Sequence, residues 1–134
     1  MKNMKRAFSL IEIIFVIVIL GIIVSFAAPK LMDTKDSALV STLKRDITTT
    51  INAVQSYYLL NQKINSLEDV LTIGTTNWDI EKLSMKDKNS CLRLDVINSL
   101  NGIKLELIVD PIKDLPICKK LRESGVESKT YDVY

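Results

Sequence analysis

The sequence predicts an α+β chain: a long N-terminal helix, membrane-spanning in its first half, packed through its second half on a small antiparallel β-sheet. Three patterns predict it. Residues 8–29 form an almost unbroken apolar run. Leu39, Leu43, Ile47, Ile51, Val54 and Tyr58 recur at spacings of four, four, four, three and four, one stripe at helical period. Beyond Ser90 the period falls to two: Leu92, Leu94 and Val96 alternate with Arg93 and Asp95, and Ile103, Leu105, Leu107 and Val109 with Lys104, Glu106 and Ile108.

The N-terminal run has no charged side chain from Ile13 to Pro29. Counted from Phe8 it approaches the roughly 20 residues that cross a bilayer. Lys2, Lys5 and Arg6 precede it with no acid among them, which predicts an N-terminus in the cytoplasm and the rest of the chain on the far side. The whole chain carries 18 basic and 16 acidic side chains, net +2, too near neutral to suggest nucleic-acid binding. Without Met1–Ala7 the balance is 15 to 16, so the basic excess belongs to the N-terminal segment.

Within the run Gly21 costs a helix about 1 kcal/mol relative to alanine, and Pro29 about 3 kcal/mol or more. Pro29 withholds the hydrogen bond that Ser25 C=O would accept. Residues 21–29 are therefore the weakest part of the predicted helix. Gly21 and Ser25 also form a small-x-x-x-small pair, which allows close helix approach. The amphipathic helix continues over residues 30–62, and the three threonines 48–50 do not break its stripe.

Ser66 N-caps a short helix over Leu67–Leu71, which ends at Gly74. Trp78 is a core or edge aromatic, and a β-region extends over 78–134. Glu81–Ser90, with Lys82, Lys86, Asp87 and Lys88, reads as a solvated loop. Ser99-Leu100-Asn101-Gly102 contains the Asn-Gly pair of a hairpin. Pro111 and Pro116 bound a connection, Ile117–Glu123 is a short helix or a strand, and Tyr131–Tyr134 adds a last strand.

Glu12 is the anomaly. A carboxylate at the centre of a spanning helix costs about 2.5–3.5 kcal/mol, less near the interface, and such groups usually have a partner. The apolar run offers no cation. A plain signal anchor leaves the acid unexplained. A secretory signal peptide fits poorly too, since Ala27-Ala28 is followed by Pro29. Cleavage after Ala7 would supply the missing cation as a new α-amine at Phe8. That amine on one copy could pair with Glu12 on its neighbour, so the buried charge would set register on assembly.

Lys5-Arg6-Ala7 followed by Phe8-Ser9-Leu10-Ile11-Glu12 resembles the processing site of type IV prepilins and type II secretion pseudopilins. Gly21 and Pro29 fall where that family has its helix-weakening glycine and proline, so the resemblance covers roughly Lys5–Leu31. It implies a leader over residues 1–7 and a membrane peptidase that cuts between Ala7 and Phe8. It also implies methylation of the Phe8 amine and a filament-core helix over 8–29. The domain over 30–134 would then be periplasmic, and the partners would be other pilin-like subunits and the inner membrane. The family prefers glycine before the cut, where this chain has Ala7.

The two cysteines, Cys91 and Cys118, fit neither a CxxC motif nor a zinc knuckle. Outside the cytoplasm a disulfide is their natural reading, with two unpaired buried thiols as the alternative. The resemblance favours the bridge, since many pilins close a C-terminal loop this way. No metal or other cofactor is expected.

Two function classes follow. The first is a structural filament subunit, of a type IV pilus-like fibre or a secretion pseudopilus. The second is a membrane-anchored enzyme or binding domain. Against an enzyme stand the absence of histidine, of a Gly-rich phosphate loop and of a nucleophile motif. Asp79 and Glu81 are close in sequence but read as surface acids. A binding surface would lie in Glu81–Ser90 or Asp110–Pro116.

Overall fold

A computed structural model describes residues 7–133. The leader residues 1–6, including Lys2, Lys5 and Arg6, and the final Tyr134 lie outside the described residues. The chain forms two compact units, the first ending at Lys35 and the second running over Asp36–Tyr134.

Helix α1 spans Leu10–Asn61. In the first unit its side chains from Leu10 to Lys35 are all exposed, on every face. The helix is long and apolar enough to cross a membrane. A helix apolar all round finds its cover in lipid or in other protein. α1 runs through Pro29 without interruption, because a helix can bypass one missing hydrogen bond when its neighbours are strong helix formers.

The second unit is an antiparallel meander packed on the remainder of α1. Its strands are β1 (Trp78–Ile80), β2 (Ser84–Asp87), β3 (Leu92–Ser99), β4 (Gly102–Val109) and β5 (Lys129–Asp132), and they lie in chain order across the sheet. Pairing Leu92 with Val109, Leu94 with Leu107 and Val96 with Leu105 puts all six side chains on the inner face. α1 meets that face with Val40, Leu43, Ile47, Thr50 and Val54. Leu39, Ile51 and Tyr58 flank them half-buried, so the predicted stripe is the core-facing stripe, turned slightly toward Val40 and Thr50. The Thr50 hydroxyl is buried and lies 3.6 Å from Met85 Sδ. Trp78, fully buried, donates its indole N–H to Asp46 Oδ2 at 2.9 Å and so ties β1 to α1.

The β3–β4 hairpin turns through Leu100 and Asn101, with Gly102 at φ 130°, a conformation that L side chains rarely adopt. Ser66 Oγ accepts from Glu68 N–H at 3.3 Å and caps a single 3₁₀ turn, Leu67–Asp69, in place of the longer helix expected there. Ile117–Glu123, open between helix and strand in the sequence, lies in helix α2 (Pro116–Glu123), whose Ile117, Cys118 and Leu121 are buried. Proline near its start fits the helical φ and lacks only an N–H that would be unpaired there.

A further expectation fails. Glu81–Ser90 is not a solvated loop: it contains β2, paired on both sides, with Met85 and Asp87 buried. Met85 is the only large apolar residue of β2, so there is no alternation to read. The strand is held by its two neighbours. Asp87 accepts from Leu92 N–H at 2.9 Å and from Asn89 N–H at 3.2 Å, which closes the turn into β3.

Candidate functional site

Each unit holds a group of singled-out residues. In the first unit, Ala7, Phe8 and Ser9 are non-helical and exposed, and α1 begins at Leu10. Ser9 is the N-cap. Its Oγ accepts from Glu12 N–H at 3.3 Å, and its carbonyl accepts from Glu12 N–H at 3.1 Å and Ile13 N–H at 3.3 Å. Glu12 is the third helical residue. With Ser9 it forms the S-x-x-E pattern of a capping box, in which the hydroxyl satisfies one of the helix's unpaired first-turn donors. A carboxylate in a first turn is also favoured by the helix dipole. No ion pair to Glu12 occurs among the described residues.

Gly21 lies eight residues before Pro29 on the same helix. A methyl group added at Gly21 would meet nothing within 4 Å, so no contact among the described residues requires glycine there. Ser25 donates its hydroxyl to Gly21 C=O at 2.8 Å, a back-bond that tends to bend helices. Glycine, the serine back-bond and proline thus act on one stretch of α1.

In the second unit Cys91 and Cys118 are joined by a disulfide with Cα atoms 5.1 Å apart, both residues buried. The bridge fastens α2 to the start of β3. Around it, Asp110 N–H donates to Cys91 C=O at 2.9 Å. Arg122 on α2 donates to Asp110 C=O at 2.9 Å and Lys113 C=O at 3.0 Å. Asp110 Oδ1 accepts from Ile112 N–H at 3.0 Å and Lys113 N–H at 3.2 Å. The connection Asp110–Pro116 is therefore pinned by the bridge and by one guanidinium. At its end, a hydrogen bond and charge attraction from Lys119, 2.9 Å away, hold the Asp114 carboxyl below the usual carboxylate range.

Elsewhere the chemistry is sparse. Asp79 and Glu81 are exposed, and Asp79 pairs with Lys88. Among the described residues no three His, Cys, Asp or Glu side chains gather closely enough to hold a metal. An open groove of about 610 Å³ lies between α1 and residues 125–131, lined by Lys44, Ile47, Thr48, Val126, Glu127 and Tyr131.

Residues 2–28 match the family model described as the prokaryotic N-terminal methylation motif. Three of the relatives that the chain matches are each called type II secretion system core protein G. Identity is 37% over 70 residues with the protein of Klebsiella michiganensis, covering 52% of this chain and 49% of that one. It is again 37% over 70 residues with that of Aeromonas hydrophila, with the same shares. With that of Vibrio cholerae it is 34% over 91 residues, covering 66% of this chain and 56% of that one.

The chain is pilin-like in its fold and in its N-terminal motif.

It spans about half the length of the curated relatives it matches. No solved structure matches it. The matched motif falls on the first unit of the pilin-like chain and takes in Ala7, Phe8, Glu12 and Gly21; Pro29 lies one residue beyond it. The structure places Phe8, Ser9 and Glu12 together at one helix end, and Gly21 with Ser25 four residues on. Two further positions matter to these groups. Ser9 was legible from S-x-x-E. Arg122 was not, because an arginine among surface lysines gives no sign that it will bond two carbonyls of a distant loop.

Proposed function

We propose that this pilin-like chain is a structural subunit of a type IV pilus-like filament. It enters the inner membrane as a prepilin, with its N-terminus in the cytoplasm and residues 30–134 in the periplasm. A prepilin peptidase cuts between Ala7 and Phe8, and the Phe8 amine is methylated. The subunit then stacks with other pilin-like subunits through the apolar part of α1. The Phe8 ammonium of one copy neutralises Glu12 of the next, and residues 21–29 give where the packed helix must bend. The role is assembly, with no catalysis. The observation that carries this reading is the methylation motif over residues 2–28, whose helical part, from Leu10 on, is exposed on all faces.

A second reading, a pseudopilin of a type II secretion system, is favoured by the names of the three relatives. Both readings share the processing and packing steps and differ in the machine that uses the filament. Intact mass spectrometry of the protein from native membranes, with and without the prepilin peptidase, tests the shared steps. A mature chain beginning at Phe8 with one added methyl is expected only where the peptidase is present. Intact Met1–Ala7 in both samples would leave a plain single-pass anchor.

A further inference from the structure

We infer that Ser9 is a positioning residue for processing: as the N-cap of α1, it stops the helix at Leu10 and keeps the Ala7–Phe8 bond in non-helical chain, where a peptidase can open it. The inference rests on the processing reading above and adds to it a residue and a physical cause.

Three observations carry it. Ala7 and Phe8 are non-helical, and regular helix begins directly after Ser9. Ser9 Oγ takes the Glu12 N–H at 3.3 Å, the hydrogen bond that defines an N-cap, and Glu12 completes the S-x-x-E pattern. Among the described residues no other side chain bonds a first-turn N–H of α1. Upstream, the next residue of capping type in the sequence is Asn3; of the five residues between them, Met4, Lys5, Arg6 and Ala7 are good helix formers and only Phe8 is a weaker one. With the Ser9 cap removed, the helix start is free to move toward Asn3 and to take the scissile bond with it.

That shift would matter to the chemistry. Hydrolysis adds water across the Ala7–Phe8 peptide bond. The C–N bond breaks, Ala7 leaves with a new carboxylate, and Phe8 keeps the nitrogen as an amine. In a helix the Ala7 carbonyl would accept a hydrogen bond from Ile11 N–H and be wrapped by neighbouring side chains. Cleavage would then draw only on the fraction of chains in which that turn is open. The cap draws on the backbone N–H of residue 12, so the Glu12 carboxylate stays free for its proposed role in assembly.

The test uses the full-length chain in membranes with the prepilin peptidase, timed by intact mass, with membrane insertion checked by carbonate extraction. The variants are Ser9→Ala and Ser9→Val, which cannot cap, and Ser9→Asn and Ser9→Thr, which can. Asparagine is the decisive one, because it caps well but has no hydroxyl. Ser9→Ala and Ser9→Val should be cut about three- to tenfold more slowly, the factor that loss of an N-cap brings to a helix-end equilibrium. Ser9→Asn and Ser9→Thr should be cut at close to the wild-type rate. In detergent micelles, the Ala7 and Phe8 carbon chemical shifts should turn helical in Ser9→Ala and stay non-helical in Ser9→Asn. Wild-type cleavage with Ser9→Ala cut equally fast would overturn the positioning role alone. So would Ser9→Asn slowed as much as Ser9→Ala, since the peptidase would then be reading the hydroxyl itself. A wild-type chain left uncut would overturn the processing reading and the positioning role together.

Discussion

In the second unit, Val40, Leu43, Ile47 and Val54 of α1 turn inward, and each is buried in the core that the sheet completes. In the first unit the same helix carries phenylalanines, isoleucines, leucines and valines on every face, and all are exposed. The second unit has its own core, a disulfide and paired strands. The first has its apolar surface, with Glu12 as the acid inside the apolar run, and depends on surroundings for cover. Lipid suffices for the apolar surface, but Glu12 is best served by a protein neighbour with a cation. The contrast teaches where stability and assembly reside. Changes in the second unit should register as folding free energy, and changes in the first as insertion, cleavage or packing between copies.

The largest effect expected belongs to the bridge. Cys91→Ser paired with Cys118→Ser opens a loop of 27 residues and should cost the second unit about 3–4 kcal/mol. Thermal melting of a chain beginning at Lys30 would measure it, and cleavage before Phe8 in the full chain should not change. Slower cleavage in that variant would break the separation between the units.

Asp46→Ala comes next. It leaves the buried Trp78 N–H without its acceptor and should cost about 1–3 kcal/mol, read from urea unfolding of the same chain. A loss no greater than that of a neutral surface change such as Thr48→Ala would mean that water replaces the carboxylate.

Gly21→Ala should act with opposite signs in the two settings. The site has room for a methyl group, and alanine favours a helix by about 1 kcal/mol. Helicity in micelles should therefore hold or rise, while incorporation into filaments falls. Unchanged incorporation would show that neither close approach nor helix weakness at Gly21 is used.

Asp114→Asn should give the smallest change. The folded-state pKa of Asp114 is lowered, chiefly by its hydrogen bond to Lys119, so its contribution is present at neutral pH. That contribution is lost as pH falls through the lowered value. The variant should melt slightly below wild type at neutral pH and match it in strong acid. A gap that persists in acid would point away from the carboxylate charge.

Much of this was legible in the sequence, for definite reasons. α1 and its stripe follow from apolar spacing that packing only had to obey. The β3–β4 hairpin follows from two clean alternations around Asn-Gly. β2 could not be read, because Ser84-Met85-Lys86-Asp87 has one apolar residue and becomes a strand through its neighbours. α2 was ambiguous because a short segment with few apolar residues fits either period. Its helical form follows from Pro116 at the start and a buried face of Ile117, Cys118 and Leu121. At the N-terminus the acid was legible as an anomaly. The cap beside it was legible in principle from the spacing of Ser9 and Glu12, since capping is a local property of the chain. The partner proposed for Glu12 lies on another copy, so no single chain would display it.

The most direct test of that last point is incorporation of Glu12→Ala into sheared filaments, in cells that lack the wild-type subunit. Membrane insertion and removal of Met1–Ala7 should proceed as in wild type, measured by fractionation and intact mass. The mature variant should then stay in the membrane fraction, with little in the filament fraction. Incorporation at the wild-type level would contradict the account, because the first unit would be packing its neighbours without the one charge that sets their register.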